Sequence, residues 1–340
     1  MNGHPLLIAL LAAGVALLLA VWGYHRWRLR RLTPRQPQPA AGEDAREEVA
    51  RLEPVLGMPP AAAEEPPQRV LSERIDAIVE LRLERPVSGE AVLAALPASR
   101  RIGSKPLFVE GVAQDEPSDA WEVPRGGRRY ARLRAGVQLA NRSGALNEIE
   151  YSDFVHKVSQ LAEHFLAAVD FPDMLAVVQR ARELDQFAAA HDAQLVLTLR
   201  ARRAAWNPGY VTQHARRLGF VPGTLPGRMV VPAPDGTPMV VLQFETQAAL
   251  ADEPELAVLR EVRLMLDVPQ VPAEAEPFAR LRELSQALAA AMDGWIGDDS
   301  GQPLDDAAWD AIGTQLQRLV QRLQASGLPP GSADARRLFA

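Results

Sequence analysis

The side chains that could do chemistry are scattered along this chain rather than grouped for catalysis. Of the six histidines, His156 and His164 lie on one predicted helix but eight residues apart, more than two turns, which is too far for one metal ion to bridge. No phosphate-binding glycine loop, dinucleotide-binding glycine turn, nucleophile elbow or zinc-protease helix occurs in the sequence. We therefore expect no enzymatic activity, no metal and no cofactor.

The most acidic stretch is DDSGQPLDD, which contains Asp298, Asp299, Asp305 and Asp306. Its spacing does not match a calcium-binding EF-hand loop, which needs a glycine and a final glutamate at fixed positions. We interpret the stretch as an exposed turn. In this turn Asp305 or Asp306 caps the next helix by accepting hydrogen bonds from its free N–H groups.

A group of arginines invites a nucleic-acid hypothesis. A sheet that stacks bases needs aromatic side chains on its face, and Phe244 is the only aromatic residue that we place on the neighbouring strands. The net charge of −6 also argues against a polycation that coats nucleic acid. We expect a solvated charged face and no nucleic acid. The residues are Arg200, Arg202, Arg203, Arg216 and Arg217.

Two predicted strands are apolar at both alternating positions. In MVVLQF, Met239 and Val241 alternate with Val240 and Leu242, and Met265 lies between leucines in EVRLMLDV. A strand with one solvated face would alternate apolar with charged residues. This pattern favours an apolar binding groove on an open sheet face, where methionine suits an adaptable peptide site. The alternative is a sheet that a neighbouring unit buries on both sides.

The N-terminus carries an uncharged apolar stretch from Pro5 to Tyr24. About 20 such residues span the ~30 Å hydrocarbon layer of a bilayer as a helix. A cleaved signal peptide would place its positive charge before the apolar run, but here an arginine cluster follows it within residues 1–35. We therefore predict a retained single-pass transmembrane helix, with the C-terminal part in the cytoplasm.

Residues 36–71 are rich in proline, alanine and glutamate, which predicts a disordered linker because such a segment buries little apolar surface. The chain contains no cysteine, so no disulfide is possible. Behind the linker we predict an α+β fold with two units, at residues 72–192 and 193–325. Residues 326–340 are expected to be a flexible tail.

Both units are expected to follow one order of elements: strand, helix, three strands, helix, strand and an extra helix. This order predicts a split β-α-β, ferredoxin-like layout in each unit, and hence a tandem duplication. Two pairs of segments support a repeat: Val169–Pro172 with Leu266–Pro269, and LRAGVQLANR with VVLQFETQ. Pro208 is expected at the start of a helix.

Three motifs resemble the ZipA family of bacterial cell-division proteins. MVVPAPDGTPMVVLQFE is similar to its strand–turn–strand hairpin, and VRLMLDVP is similar to its strand that ends in Val-Pro. ALAAAMDGWIGDDSGQPLDDAAWDAI is similar to its last helices and the strand between them. The order of these motifs between Ala193 and Gln324 carries the resemblance, together with the N-terminal anchor and spacer.

The resemblance implies a bacterial inner-membrane adaptor that binds the C-terminal tail of the division protein FtsZ and so tethers the division ring. The FtsZ tail and the lipid bilayer are the implied partners. An alternative is a membrane-tethered ferredoxin-like module for a small molecule or nucleic acid. The implied apolar groove would use Met229, Val231, Leu242, Phe244 and Met265.

Overall fold

The computed structural model describes residues 71–114, 120–245, 248, 257–298 and 301–340. The predicted membrane span of residues 5–24, its basic flank and residues 36–70 of the predicted linker lie outside these residues. Within the described residues, no helix has the length and apolar character that crossing a bilayer would require.

The described chain is a mixed α+β structure that divides into two compact units. The first unit consists of residues 71–192 together with residues 319–340, and the second unit consists of residues 193–318. Residues 319–340 therefore belong to the same unit as residues 71–192, although the second unit lies between them in the sequence.

The first unit contains three long strands, several short ones and three helices before residue 192. The strands are β1 (Asp76–Arg82), β2 (Val87–Ser88), β3 (Arg101–Ile102), β4 (Lys105–Ala113), β5 (Trp121–Glu122), β6 (Arg129–Gln138), β7 (Ala140–Asn141), β8 (Gly144–Ala145) and β9 (Ala168–Val169). The helices are α1 (Gly89–Ala95), α2 (Glu148–Phe165) and α3 (Met174–His191).

The second unit also mixes strands and helices. Its strands are β10 (Gln194–Ala201), β11 (Val221–Pro222), β12 (Arg228–Pro232), β13 (Pro238–Gln243), β14 (Glu261–Asp267) and β15 (Gly294–Gly297). Its helices are α4 (Pro208–Arg217), α5 (Pro277–Met292) and the first part of α6 (Asp306–Ala325). The end of α6 and the short helix α7 (Ala333–Leu338) belong to the first unit.

The main sheet of the first unit has the strand order β3-β4-β6-β1-β9, with β2 paired to β6 and β5 paired to β4. β1 is antiparallel to both β6 and β9. β6 and β9 therefore run in the same direction, and α2 connects them across β1. The order of the second sheet is β11-β12-β13-β14-β10-β15, and α5 likewise connects β14 to β15 across β10.

The segment pairs that suggested a repeat do not occupy matching places in these sheets. Residues 169–172 begin at the edge strand β9, whereas residues 266–269 begin at the end of β14. LRAGVQ belongs to β6, whose counterpart by sheet position is β14, but VVLQ belongs to β13. That pairing was wrong because short apolar segments resemble one another wherever they lie in a sheet.

One face of each sheet is covered by helices, and we call it the inner face. In the first unit Ala77, Val79 and Leu81 of β1 share a core with Tyr151 and Phe154 of α2. In the second unit, α5 buries a stripe formed by Leu281, Leu284 and Leu288. α5 contacts β10, β13, β14 and β15. The opposite face is called the outer face.

Two helices of the second unit begin at the residues that the sequence predicted. Pro208 is the first residue of α4, as expected, and the side chain of Asn207 caps that helix. The backbone N–H of Ala308 donates to Oδ1 of Asp305 at 2.8 Å, which confirms the predicted cap of α6. Asp306 instead pairs with Arg282 on α5, at 3.0 Å.

The expected flexible tail of residues 326–340 is instead an ordered part of the first unit. It contains α7, capped by Ser332, and its residues Ala335, Leu338 and Phe339 are buried. This order could not be predicted from the sequence, because α7 has only six residues and is too short to show a helical period. The contacts that hold it come from residues between 72 and 142 of the first unit.

Gly136 provides a test of how the outer face of the first unit is packed. A Cβ atom at this position would lie 2.5 Å from Cδ2 of Leu71 and 3.2 Å from the carbonyl oxygen of Ala77. We expect Gly136→Ala to lower the free energy of unfolding of the first unit by about 1–3 kcal/mol. Hydrogen exchange of the β6 amides measures this change.

The control is a double-mutant cycle with Leu71→Ala, which removes the atoms that the new Cβ would meet. In that background the cost of Gly136→Ala should fall to less than about half. An equal cost in both backgrounds would contradict the contact between Leu71 and Gly136.

Candidate functional site

Four of the five residues predicted to line an exposed groove are buried on the inner face of the second sheet. Met229 is 4% exposed, Val231 7%, Leu242 0% and Phe244 7%. The prediction that these side chains form an open groove is therefore wrong. They are part of the core of the second unit.

The strand register explains this burial. Met229 lies opposite Leu242, and Leu242 lies opposite Leu264, so these three side chains point to the same face. On β10 that face carries Leu199, which lies within reach of Trp206 beside Gly294. The indole N–H of Trp206 donates to the carbonyl oxygen of Met292 at the end of α5, so this is the face that the helix covers.

Met265 is the one predicted residue that lies on the outer face, and it is half-buried. Its cross-strand neighbours are Val241 on β13 and Val196 on β10. Val241 in turn lies opposite Val230, which lies opposite Val221 on β11. One apolar side chain from each of five adjacent strands therefore forms a continuous line, which we call the outer row: Val221, Val230, Val241, Met265 and Val196.

The outer row is partly accessible to solvent. Val221 is exposed, Val230, Met265 and Val196 are half-buried, and Val241 is 8% exposed. Strands lie about 4.8 Å apart, so five strands give a row about 19 Å long. A row of this length matches several residues of a bound peptide.

Polar side chains lie beside parts of the outer row on both sides. On one side of the row, at a distance of two positions along each strand, Arg228 lies opposite Gln243, and Gln243 lies opposite Arg263. Gln243 and Arg263 are exposed. Towards the other end, the side-chain amide of Gln194 donates to Asp267 at 3.4 Å. The row is thus a narrow apolar strip with arginines on one side and a carboxylate on the other.

Two cavities lie next to this strip. One, of about 560 Å³, is lined by Met265 together with Gln243, Val258, Arg260 and Arg263. The other, of about 530 Å³, is lined by Val196 together with Gln194, Thr198, Asp298, Leu304 and Ile312. The strip therefore lies between two depressions that could receive side chains of a partner.

A third cavity, of about 620 Å³, lies beside α4. Phe244 and Pro208 form apolar parts of its wall, and the exposed side chains of Arg216 and Arg217 lie at its edge. Three of the other arginines in the predicted charged face have partners in the described structure. Arg200 pairs with Glu261 at 3.2 Å and Arg203 with Asp293 at 3.6 Å, and Arg202 donates to the carbonyl oxygen of Gly294.

The titratable residues considered in the sequence take ordinary structural positions. His156 lies 3.0 Å from the side-chain amide of Gln160, and the His164 ring packs edge-on against Phe165. Asp298 accepts a hydrogen bond from the backbone N–H of Gln302 within its turn. In the described parts of the chain, no group of three or more histidine and carboxylate side chains could hold a metal ion.

Sequence reasoning found Met265 but missed the four valines of the outer row. They are identified by following the cross-strand pairs outwards from Met265, one strand at a time. This requires the pairing register between the strands, which the sequence does not show. MVVLQF is apolar at both alternating positions, so it does not indicate which set of side chains faces the helices.

Alanine substitutions on the two faces of the sheet should have different costs. We expect Leu242→Ala to lower the free energy of unfolding of the second unit by about 2–5 kcal/mol, because it leaves a cavity in the core. Met265→Ala should cost less than about half as much, since its side chain is only half-buried. Hydrogen exchange of the β13 and β14 amides measures both, and a larger cost for Met265→Ala would contradict the assignment of faces.

We compared the sequence of this chain with those of known proteins and protein families. No family model and no curated protein matches this chain in sequence. The site is therefore defined by its own geometry, an apolar row across five strands with charged residues on both sides.

Proposed function

We propose that this chain is a non-enzymatic, single-pass adaptor of the bacterial inner membrane that binds the C-terminal tail of FtsZ and tethers the division ring. The outer row of the second unit is the proposed binding surface. The observation that carries the proposal is the line of five apolar side chains, four of them partly accessible, with Val241 and Met265 near its centre. The motifs shared with the ZipA family add to it.

Burial of apolar side chains would supply most of the binding free energy. A leucine or phenylalanine side chain of the partner contributes about 1.5–3 kcal/mol when it is fully buried. Two or three such residues across the outer row and its flanking cavities would together contribute about 3–9 kcal/mol, which must offset the entropy lost on association. Met265, which is flexible and polarizable, suits a surface that must adapt to a peptide.

The charged residues beside the row would select for an acidic partner segment. Arg263 is exposed and Arg228 is half-buried, and both flank the apolar strip. Exposed charges at the rim of an interface raise the association rate and favour one orientation more than they raise affinity. We expect binding to weaken as salt concentration increases.

In this proposal the two units are tandem copies of one split β-α-β, ferredoxin-like unit. The support is the shared connection of two parallel strands by a helix across a central antiparallel strand. In the second copy the apolar row on the outer face is partly accessible to solvent. In the first copy, Glu110 pairs with Arg134 on the outer face, and both side chains are buried.

The predicted anchor at residues 5–24 and the predicted linker at residues 36–71 complete the proposal. The anchor would hold the chain in the inner membrane, and the linker would set the distance that the folded units can reach from the membrane surface. Their part in the function stands on the sequence argument.

The proposed interaction predicts that a charge at the centre of the outer row abolishes binding. A labelled C-terminal peptide of FtsZ from the same cell should bind the full chain in detergent micelles, and Met265→Glu should weaken binding at least 30-fold, or about 2 kcal/mol. Fluorescence anisotropy measures the affinity. The matched control is Leu225→Glu, which changes an apolar side chain that is 57% exposed and lies off the row.

Circular dichroism of both variants establishes that they are folded. Binding that survives Met265→Glu in a folded chain would place the interaction elsewhere. A loss of binding in Leu225→Glu equal to that in Met265→Glu would contradict a site centred on the outer row.

The stoichiometry provides an independent check. Because the outer face of the first unit is already covered, we expect one FtsZ peptide per chain in isothermal titration calorimetry. A stoichiometry of two would contradict the assignment of the site to the second unit alone.

A further inference from the structure

The C-terminal segment, residues 333–340, lies on the outer face of the first sheet. The guanidinium group of Arg337 donates two hydrogen bonds to the carboxylate of Asp76, at 2.9 and 2.5 Å. The side-chain amide of Gln138 donates to the carbonyl oxygen of Arg337 at 2.7 Å. Asp76 and Gln138 are opposite one another on β1 and β6, and both belong to the outer face because Ala77 and Val137 belong to the core.

Further contacts hold the segment along its length. Arg337 lies over the ring of Phe108, 4.9 Å from its centre, and Phe108 is an outer-face residue of β4. The hydroxyl of Ser72 donates to Asp334 at 2.6 Å, and the backbone N–H of Arg142 donates to the carbonyl oxygen of Ala340 at 3.3 Å. The segment therefore contacts the sheet through Arg337, and its two ends contact residues outside the strands of that sheet.

The apolar residues of the segment are fully covered. Leu338 is 0% exposed and Phe339 is 1% exposed, although they are the third- and second-last residues of the chain. Burial also raises the pKa of the Asp76 carboxyl, while the hydrogen bonds from Arg337 and from the Ser72 N–H act in the opposite direction. An ion pair together with two buried apolar side chains is typical of a bound peptide.

The connection before the segment is short and has its own geometry. Residues 327–331 read GLPPG, and Gly327 and Gly331 have φ angles of +70° and +77°. Such a connection ends α6 and lets α7 start in a new direction. α7 is therefore a separate small element that the sheet face holds in place.

The register of the strands shows that this segment occupies the position that is open in the second unit. β1 and β6 begin their pairing at Asp76 and Gln138, as β10 and β14 begin theirs at Gln194 and Asp267. Two residues further along, Ile78 lies opposite Gly136 in the first sheet, and Val196 lies opposite Met265 in the second.

The next strand of each sheet continues the correspondence. Phe108 lies opposite Gly136, as Val241 lies opposite Met265. Gly136 has no side chain, and Leu71 fills the space above it. The first unit thus has its own version of the outer row, covered by Leu71 and by the C-terminal segment.

We propose that the outer face of the first sheet is a peptide-binding site whose ligand is the chain's own C-terminal segment. The class of ligand is a short helical peptide with an arginine that pairs with Asp76, followed directly by two apolar residues. The segment closes this site to other proteins. The proposal does not depend on what the second unit binds.

The test uses the full chain in detergent micelles, with a protease recognition sequence inserted between Gly331 and Ser332. After cleavage, residues 332–340 remain bound only by non-covalent contacts. A labelled synthetic peptide of residues 332–340 should then exchange into the site with saturable binding, measured by fluorescence anisotropy, and unlabelled peptide should compete with it. The uncleaved chain should bind the labelled peptide at least 10-fold more weakly, because its tethered segment has a high effective concentration.

Variant peptides test the chemistry of the site. Arg337→Glu in the labelled peptide should weaken binding to the cleaved chain at least 10-fold. Arg336→Glu makes the same change in charge one residue earlier and leaves the Asp76–Arg337 pair in place, so its effect should be several-fold smaller. Equal losses for the two peptides would overturn the proposed role of Asp76.

Two further outcomes would overturn the proposal. If cleavage unfolds the first unit, as judged by hydrogen exchange of the β1 and β6 amides, the segment is a structural element and not a ligand. If the labelled peptide binds but Met265→Glu abolishes its binding, the peptide occupies the second unit. Exchange that survives Met265→Glu supports the proposal, whether or not the FtsZ peptide binds.

Discussion

The register between β10 and β14 is the constraint on which the second unit depends. It places Leu197, Leu199, Leu264 and Leu266 on one face, where the helices bury them, and Val196 with Met265 on the other. A shift of one residue would exchange the two sets and expose the leucines to water, so the register is strongly specified. The same pairing that builds the core therefore also creates the apolar line on the opposite face.

The general architecture could be predicted from the sequence, but the composition of the site could not. Alternating apolar residues and end signals such as Pro208 and Asp305 mark strands and helices locally. A strand with apolar residues at both alternating positions, such as MVVLQF, does not indicate which set faces the helices. For Leu242 and Met265 that choice is made by partners on other strands, which a single sequence does not reveal.

The buried charged residues of the first unit also could not be predicted from the sequence. Asp76, Glu110 and Arg134 are almost completely buried, although charged residues in strands are normally expected in solvent. Each is held by a partner distant in sequence: Arg134 pairs with Glu110 and stacks on Trp121, and Asp76 binds Arg337. Removing one partner of such a pair leaves a buried charge without compensation. The resulting loss of stability is larger than the net stabilisation that the intact pair provides. These pairs thus define which face of the first sheet is closed.

The position of the C-terminal segment has a consequence for the order in which the molecule is assembled. Asp76 and Arg337 are 261 residues apart, so during synthesis β1 emerges from the ribosome long before its partner exists. The face that carries Asp76 and Phe108 stays uncovered until residues 334–340 have been synthesised, and the strands and helices of the second unit are by then already made. The first unit is therefore completed after the second, and translation that stops before residue 333 leaves the first unit without the residues that cover its outer face.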